Sequence, residues 1–543
     1  MKGKRAQRTA PRTAAPESAG PRPAYSASLS AGGAFALPLV FVLGLWALAA
    51  LPSVNQSPVL LASFRGAALL LAAWTVILFG VAGRRQKFRL DVVLLRQHYL
   101  QACLQGTLIL YWGYYWRQVY TAAPLIVAQL LFAYAFSCLL SWSRGRSYAL
   151  GFGPFPVIFS ITLFFWFKDQ WFFLQFLMVA VGFAAKEFLR WQRDGRSAHI
   201  FNPSSFPLAV FSVLLLLTNN SDMTWGFLVA NTEFYPPHMY LVIFLVGMPG
   251  QYLFGVTPMT MSAVVTTYVF SALYFLATGS FYFFDSHVPI AVFLGMHLLF
   301  TDPATAPRTE LGRIFFGVLY GLSTILLYDL LLRAGMPGFY DKLLQVPLLN
   351  LSVRAIDRVA QSSILRRLDP SALGRMLAPR RRHLAYMSIW ALAFAGMSST
   401  RAVSDYHPGQ WLPFWQQACA ANARESCNNL LFLQEGFCMD GSGWACNEFA
   451  IVHAGQGLDR ATAAAYFQRG CKLGYEPACD NAAGVAAPAA FRRSPPQLRD
   501  YPIVLRGSKG PISEREPSAL YALACAQGWP GTCQAPAATR GAL

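Results

Sequence analysis

Charge is scarce in this chain, and acidic charge is scarcest. Of 543 residues only 13% are charged, with 25 Asp and Glu against 44 Lys and Arg, while 55% are apolar and the mean hydropathy is +0.38. So little charge on so apolar a chain excludes an ordinary soluble enzyme and points to an integral membrane protein. Catalytic signatures are missing too: there is no phosphate-binding GxxxxGK[ST] loop, no GxGxxG fingerprint, no GxSxG elbow and no pair of histidines at metal spacing. No catalytic residue and no metal ligand is therefore assigned. Cysteine is nearly absent from the first 400 residues, where only Cys103 and Cys138 occur, and both read as small buried side chains in or beside apolar runs.

Apolar runs fill the space that charge leaves. They cover Ala34–Leu51, Ala67–Gly83, Leu108–Trp116, Ala123–Trp142, Pro154–Phe167, Trp171–Ala185, Ser205–Leu217, Met239–Phe254, Met259–Ala277, Val288–Phe300, Ile314–Leu332 and Leu384–Met397. Several fall short of the ~20 residues that a straight spanning helix needs. Short runs led by proline, at Asn202-Pro203, Pro207, Pro249 and Pro258, read as starts of discontinuous helices.

The net charge of +19 sits between these runs, in MKGKRAQR, in RRQKFR, across Lys186 to Arg196 and at Arg380 to Arg382. That placement is the positive-inside pattern rather than a nucleic-acid surface, so these loops are expected to be cytoplasmic. Residues 1–32 read as a disordered basic cytoplasmic tail, 33–400 as a polytopic membrane domain and 401–543 as an extracytoplasmic domain. A cytoplasmic start and an extracytoplasmic end require an odd number of crossings. Because about twelve runs give an even count, an irregular segment is expected between Phe201 and Phe300 or between Arg333 and Ser362.

The last domain is written in cysteine. Cys419/Cys427, Cys438/Cys446, Cys471/Cys479 and Cys525/Cys533 share one spacing, seven residues between members. Three residues after each first cysteine stands Asn422, Gly441, Gly474 or Gly528, residue types that accept the left-handed conformation ending a helix. Each unit reads as helix, left-handed stop, short turn and next helix, with the sulfurs at facing ends. Zinc is the competing account, but the spacing exceeds the usual two to four residues and only His453 is near, which favours disulfides and an oxidising compartment. Sequences such as ATAAAYFQRGCKLGYEPACDNAA resemble the cysteine-rich Sel-like subclass of tetratricopeptide repeats, from Trp411 to about Gln534, with an insertion near 484–516. The resemblance implies a protein-binding surface for a periplasmic partner.

Two polar strings interrupt the membrane domain: AHIFNPSS at 198–205 and FTDPATAPRTELGR at 300–313. Polar groups beside membrane-length apolar runs are costly unless used. Asn202 reads either as a helix cap or as the start of a half-helix whose N–H groups face a ligand, His199 as solvated or as a ligand contact, and Asp302 with Arg308 as a mutual pair or as ligand contacts. His287 beside Asp285 reads as an interfacial pair, and His297 as facing the bundle interior or a ligand.

With GVTPMTMSAVV between them, the stretches AKEFLRWQRDGRSAHIFNPSSFPLAVFSVLLL and HLLFTDPATAPRTELGRIFFGVLYGL resemble the RnfD and NqrB family of membrane subunits, particularly its divergent RnfD-like, UnbU-like members, over about 88–332. The resemblance implies an all-α fold similar to urea transporters with broken helices, a place in the bacterial inner membrane, and a role in an ion-pumping electron-transfer complex beside other subunits. It also implies flavin, FMN or riboflavin, with His199, Asn202, Asp302 and Arg308 near it. In QYLFGVT, Gly255 and Thr257 match the family's FMN-attachment motif, while Gln251, Phe254 and Val256 replace its acidic residue, serine and alanine. An alternative is a non-redox scaffold subunit that has lost flavin; a solute channel rests on the fold analogy alone.

Overall fold

The computed structural model describes residues 23–82, 88–193, 195–373, 377–423, 425–455, 457, 459–483, 491–505 and 516–534. Helices dominate, as an all-α chain requires. Among the described residues five are long and apolar enough to cross a membrane: Ala31–Leu48, Pro58–Val81, Ala123–Ser143, Thr257–Thr278 and Glu310–Arg333. Their outward surfaces carry bare leucines such as Leu70, Leu276 and Leu326, which suits hydrocarbon as solvent.

Shorter segments fill the interior between them. Ser205–Leu217 and Met239–Phe254 have the bounds expected from the apolar runs, and Pro154–Thr162 is shorter than its run. At Leu108–Trp116 the run is the second half of a longer helix, Arg96–Tyr115. Thr257–Thr278 starts afresh after Gly255, whose φ of 65° breaks the chain direction, and Pro258 stands in its first turn, where a missing N–H is harmless. Pro249 does not start a helix, as the sequence reading had it; Met239–Phe254 continues through it. The segment Ile290–Leu299 changes from α to a π turn over Gly295–Leu299.

One helix was not expected. Gln345–Ala360 lies in the interval flagged as irregular, and buries Val346, Leu349, Val353, Ile356 and Ala360, one face at helical spacing. It packs on Glu310–Arg333 and Ser205–Leu217. With 16 residues that include Arg354, Asp357 and Arg358, it is not among the helices long and apolar enough to cross a membrane.

Two small sheets sit at one end of the body. Tyr25–Leu29 pairs antiparallel with Phe88–Val92, which pairs in parallel with Tyr148–Leu150, with Ala27 opposite Leu90 and Leu90 opposite Tyr148. This corrects the tail expected over 1–32: residues 1–22 lie outside the described residues, but 25–29 are ordered by a ladder to a strand more than sixty positions on. Arg190–Arg193 and Arg196–His199 form an antiparallel hairpin at the same end.

The C-terminal domain is a row of antiparallel helices, Leu412–Ala420, Ser426–Met439, Gly443–Gly455, Arg460–Lys472 and Glu476–Ala483, followed by Pro517–Ala526. Disulfides join Cys419–Cys427, Cys438–Cys446, Cys471–Cys479 and Cys525–Cys533. Asn422, Gly441, Gly474 and Gly528 all have positive φ. Each donates its N–H to the carbonyl of the first cysteine, and the next residue donates to the carbonyl just before that cysteine. That double bond pattern is the Schellman stop, used four times over.

Aromatic rings fasten the two domains. The loop after Thr278 places Phe281 against Phe414 and His407, with ring centroids 4.7 and 4.4 Å apart, and stacks Phe284 on Trp415 at 5.7 Å. Phe281 thereby belongs to the core of the C-terminal domain. His287, expected to pair with Asp285, instead meets the Ser271 hydroxyl at 3.3 Å and faces His407.

Candidate functional site

The two polar strings meet. His199 closes the hairpin, and its Nε2 lies 3.0 Å from Asp302 Oδ2. Asp302 also accepts from the Ala304 N–H at 3.0 Å and the Thr305 hydroxyl at 3.4 Å. Asp302 thus bonds His199 and its own turn.

Asn202 is the keystone of the contact. Its side-chain oxygen accepts from the Ser204 and Ser205 N–H groups at 2.9 and 3.3 Å, which caps Ser205–Leu217, while its Nδ2 donates to the Leu299 carbonyl at 2.7 Å. Its own N–H donates to Asn350 Oδ1 at 3.1 Å, and Asn350 Nδ2 reaches the Thr305 carbonyl at 3.5 Å. Of the two readings of Asn202, the structure adopts the cap.

Arg308 is exposed, and its N–H donates to both oxygens of Asp357, at 3.0 and 3.1 Å. Asp357 also accepts from the Thr309 N–H and hydroxyl, and from Arg193 Nη2 at 3.0 Å. One carboxylate therefore organises the start of Glu310–Arg333. Further along that turn Arg313 donates to the Gly255 carbonyl at 2.6 Å, and Arg382 bonds Glu310 at 2.8 Å. Thr257, the first residue of its helix, is buried two residues beyond Gly255.

The chain matches no family model, no curated protein and no solved structure.

Asn350 and Asp357 were missed by sequence reasoning, since neither lies in a polar string. The signal that could have found them is the apolar periodicity of 345–360, which puts Asn350 among buried positions.

A flavin fits these residues poorly. His199, Asn202 and Asp302 satisfy one another and nearby backbone, and Thr257 is 2% exposed. The narrow cleft nearby, reached by Gln251, His297 and Thr301, has a volume of only about 20 Å³, whereas cofactor pockets run to roughly 300–1,000 Å³. A more open basin of about 320 Å³ beside Thr309 is lined by Gln361, Arg366 and Asp369 and includes none of His199, Asn202, Thr257 or Asp302. Among the described residues no group of three or more His, Cys, Asp or Glu side chains is placed to hold a metal ion.

Proposed function

We propose that this chain is a membrane subunit of an electron-transfer complex of the RnfD-like kind, and that it serves the complex as a scaffold rather than as a carrier of electrons. The carrying observation is that the two strings the resemblance assigns to a cofactor are bonded to each other, through His199–Asp302 and Asn202–Leu299. The chain lies in the bacterial inner membrane with its N-terminus cytoplasmic and its repeats in the periplasm. Basic loops at one end and disulfides at the other support that orientation. The Sel-like repeats dock a periplasmic protein, and the aromatic seam around Phe281 transmits their position to the membrane body.

A second reading keeps flavin. Arg313 reaches the Gly255 carbonyl, so a guanidinium stands beside the one motif fragment, Gly255 and Thr257, that survives in QYLFGVT. Purification of the tagged chain with its native partners separates the two. The scaffold reading expects redox-active subunits to co-elute and this chain, once stripped of them, to show no visible flavin absorbance. Stoichiometric flavin on the isolated chain, lost in Thr257→Ala, would establish the second reading; a chain that elutes alone from gently solubilised membranes would overturn the subunit role.

A further inference from the structure

The small cleft lies between Arg96–Tyr115, Met239–Phe254 and the π turn Gly295–Leu299, and its polar lining is Gln97, Gln101, Gln105, Gln251, His297 and Thr301. Three of these are sealed in the protein yet unfinished as hydrogen-bonding groups. Gln251 is 1% exposed and neither of its amide atoms finds a protein partner; His297 is 2% exposed with Nε2 unpaired; Gln105 is fully buried with Oε1 unpaired. Each unmet buried polar group is costly, and their convergence on one cavity points to a ligand.

The chemistry of that ligand follows from the protons. His297 Nδ1 is 2.7 Å from the Phe293 carbonyl, which can only accept, so Nδ1 carries the hydrogen and Nε2 offers a lone pair. Gln105 Nε2 donates to Ser160 at 3.1 Å, so its oxygen is what remains. Gln251 Nε2 and the His297 ring flank the same point above Gly247, 3.3 and 3.0 Å from where a Cβ would stand. The cleft thus offers two fixed acceptors and one amide able to give or take, with no charged side chain in its wall. A volume of about 20 Å³ suits one water molecule.

Access is built in as well. Gln97, Gln101 and Gln105 recur every fourth residue, on one face over about 12 Å of helix. They pass from half-buried at 97 and 101 to fully buried at 105. Inward, the path stops at an aromatic wall, where Phe293, Phe244 and Trp390 surround the His297 ring.

We propose that this cleft is a hydrated inlet, closed at its inner end, that leads from the basic end of the membrane body to a binding site for one water molecule against His297 Nε2, Gln251 and Gln105. The π turn, which shifts side chains off the regular helical register, aims His297 at it. The inference is independent of any flavin.

Thiol labelling tests it, because a thiol reacts as thiolate and thiolate forms only where water reaches. Gln101→Cys and Gln105→Cys are made separately in the full chain and treated in membranes with a small water-soluble thiosulfonate, with native Cys103, which is exposed rather than buried as its sequence setting suggests and lies outside the cleft's lining, as the reference. The new thiols are expected to react at least roughly tenfold faster than Cys103, and Gln251→Leu is expected to slow the reaction at 105. Equal, slow labelling at 101, 103 and 105 in monodisperse protein would overturn the proposal. Should Gln105→Cys fail to fold, the half-exposed position 101 decides alone.

Discussion

His199 Nε2 and Asp302 Oδ2 stand 3.0 Å apart across 103 positions of sequence. The bond joins the end of a hairpin to the turn that follows the π helix, so it fixes where the half-length helix Ser205–Leu217 begins. In a double-mutant cycle with His199→Phe and Asp302→Asn, the coupling is expected to be about 1.5–3 kcal/mol, the range of hydrogen bonds to charged groups. Unfolding in mild detergent provides the measurement; coupling near zero would mean that the two strings are held by other contacts.

Asn202→Ala removes a cap and strands the Leu299 carbonyl. The expected loss is about 2–4 kcal/mol, combining cap and buried-bond terms. Asn202→Asp tests the account from the other side: it keeps the oxygen that Ser204 and Ser205 use but loses the donor to Leu299, so the loss should be partial.

Asp357 gathers donors from Arg193, Arg308 and Thr309. Asp357→Ala leaves Arg193, largely buried, with its ion pair broken, and about 3 kcal/mol of destabilisation is expected. Asp357→Asn should retain part of the stability, because an amide oxygen still accepts. Thermal unfolding of both variants, compared with an exposed control such as Arg366→Ala, provides the check.

The disulfides give a prediction about place and one about energy. An impermeant thiol reagent applied to intact cells is expected to label the eight C-terminal cysteines only after reduction; labelling of all eight without reductant would contradict the bridges, and no labelling even after reduction would contradict an extracytoplasmic location. Removing the buried Cys438–Cys446 bridge, separation 8, by Cys438→Ala with Cys446→Ala is expected to lower the stability of the C-terminal domain by about 2.5 kcal/mol on the loop-closure account.

The aromatic junction should respond to acid. Burial, with the neighbouring His287 adding to it, pushes the His407 imidazole from its ordinary 6.5 down to about 3. The unfolded chain therefore binds the extra proton first, so stability is fully present above about pH 6.5 and falls as pH drops toward about 3. Beside His407 stand His287, Phe281 and Gly409, and Gly409 in turn meets the Asp285 backbone. His407→Asn keeps an acceptor for the Gly409 N–H, and its melting temperature is expected to vary less with pH over that window; an unchanged slope would place the acid sensitivity elsewhere.

By itself the sequence determined what is local. The four helix stops were legible because a left-handed residue three places after a cysteine makes its bonds within five residues, and the sulfur pairing follows from that turn. Helix bounds at Ser205–Leu217 and Met239–Phe254 followed from hydrophobic runs, since burial acts residue by residue. Only the tertiary structure decided the rest. Which partner Asp302 takes, whether Asn202 caps or binds, and that Asn350 and Asp357 complete the site depend on a helix, Gln345–Ala360, whose apolar face has meaning only once other helices lie against it. Tyr25–Leu29 became a strand for the same reason, its ladder being supplied by Phe88–Val92. Long-range hydrogen bonds are selected by packing, and no pattern within the polar strings encodes which of them will meet.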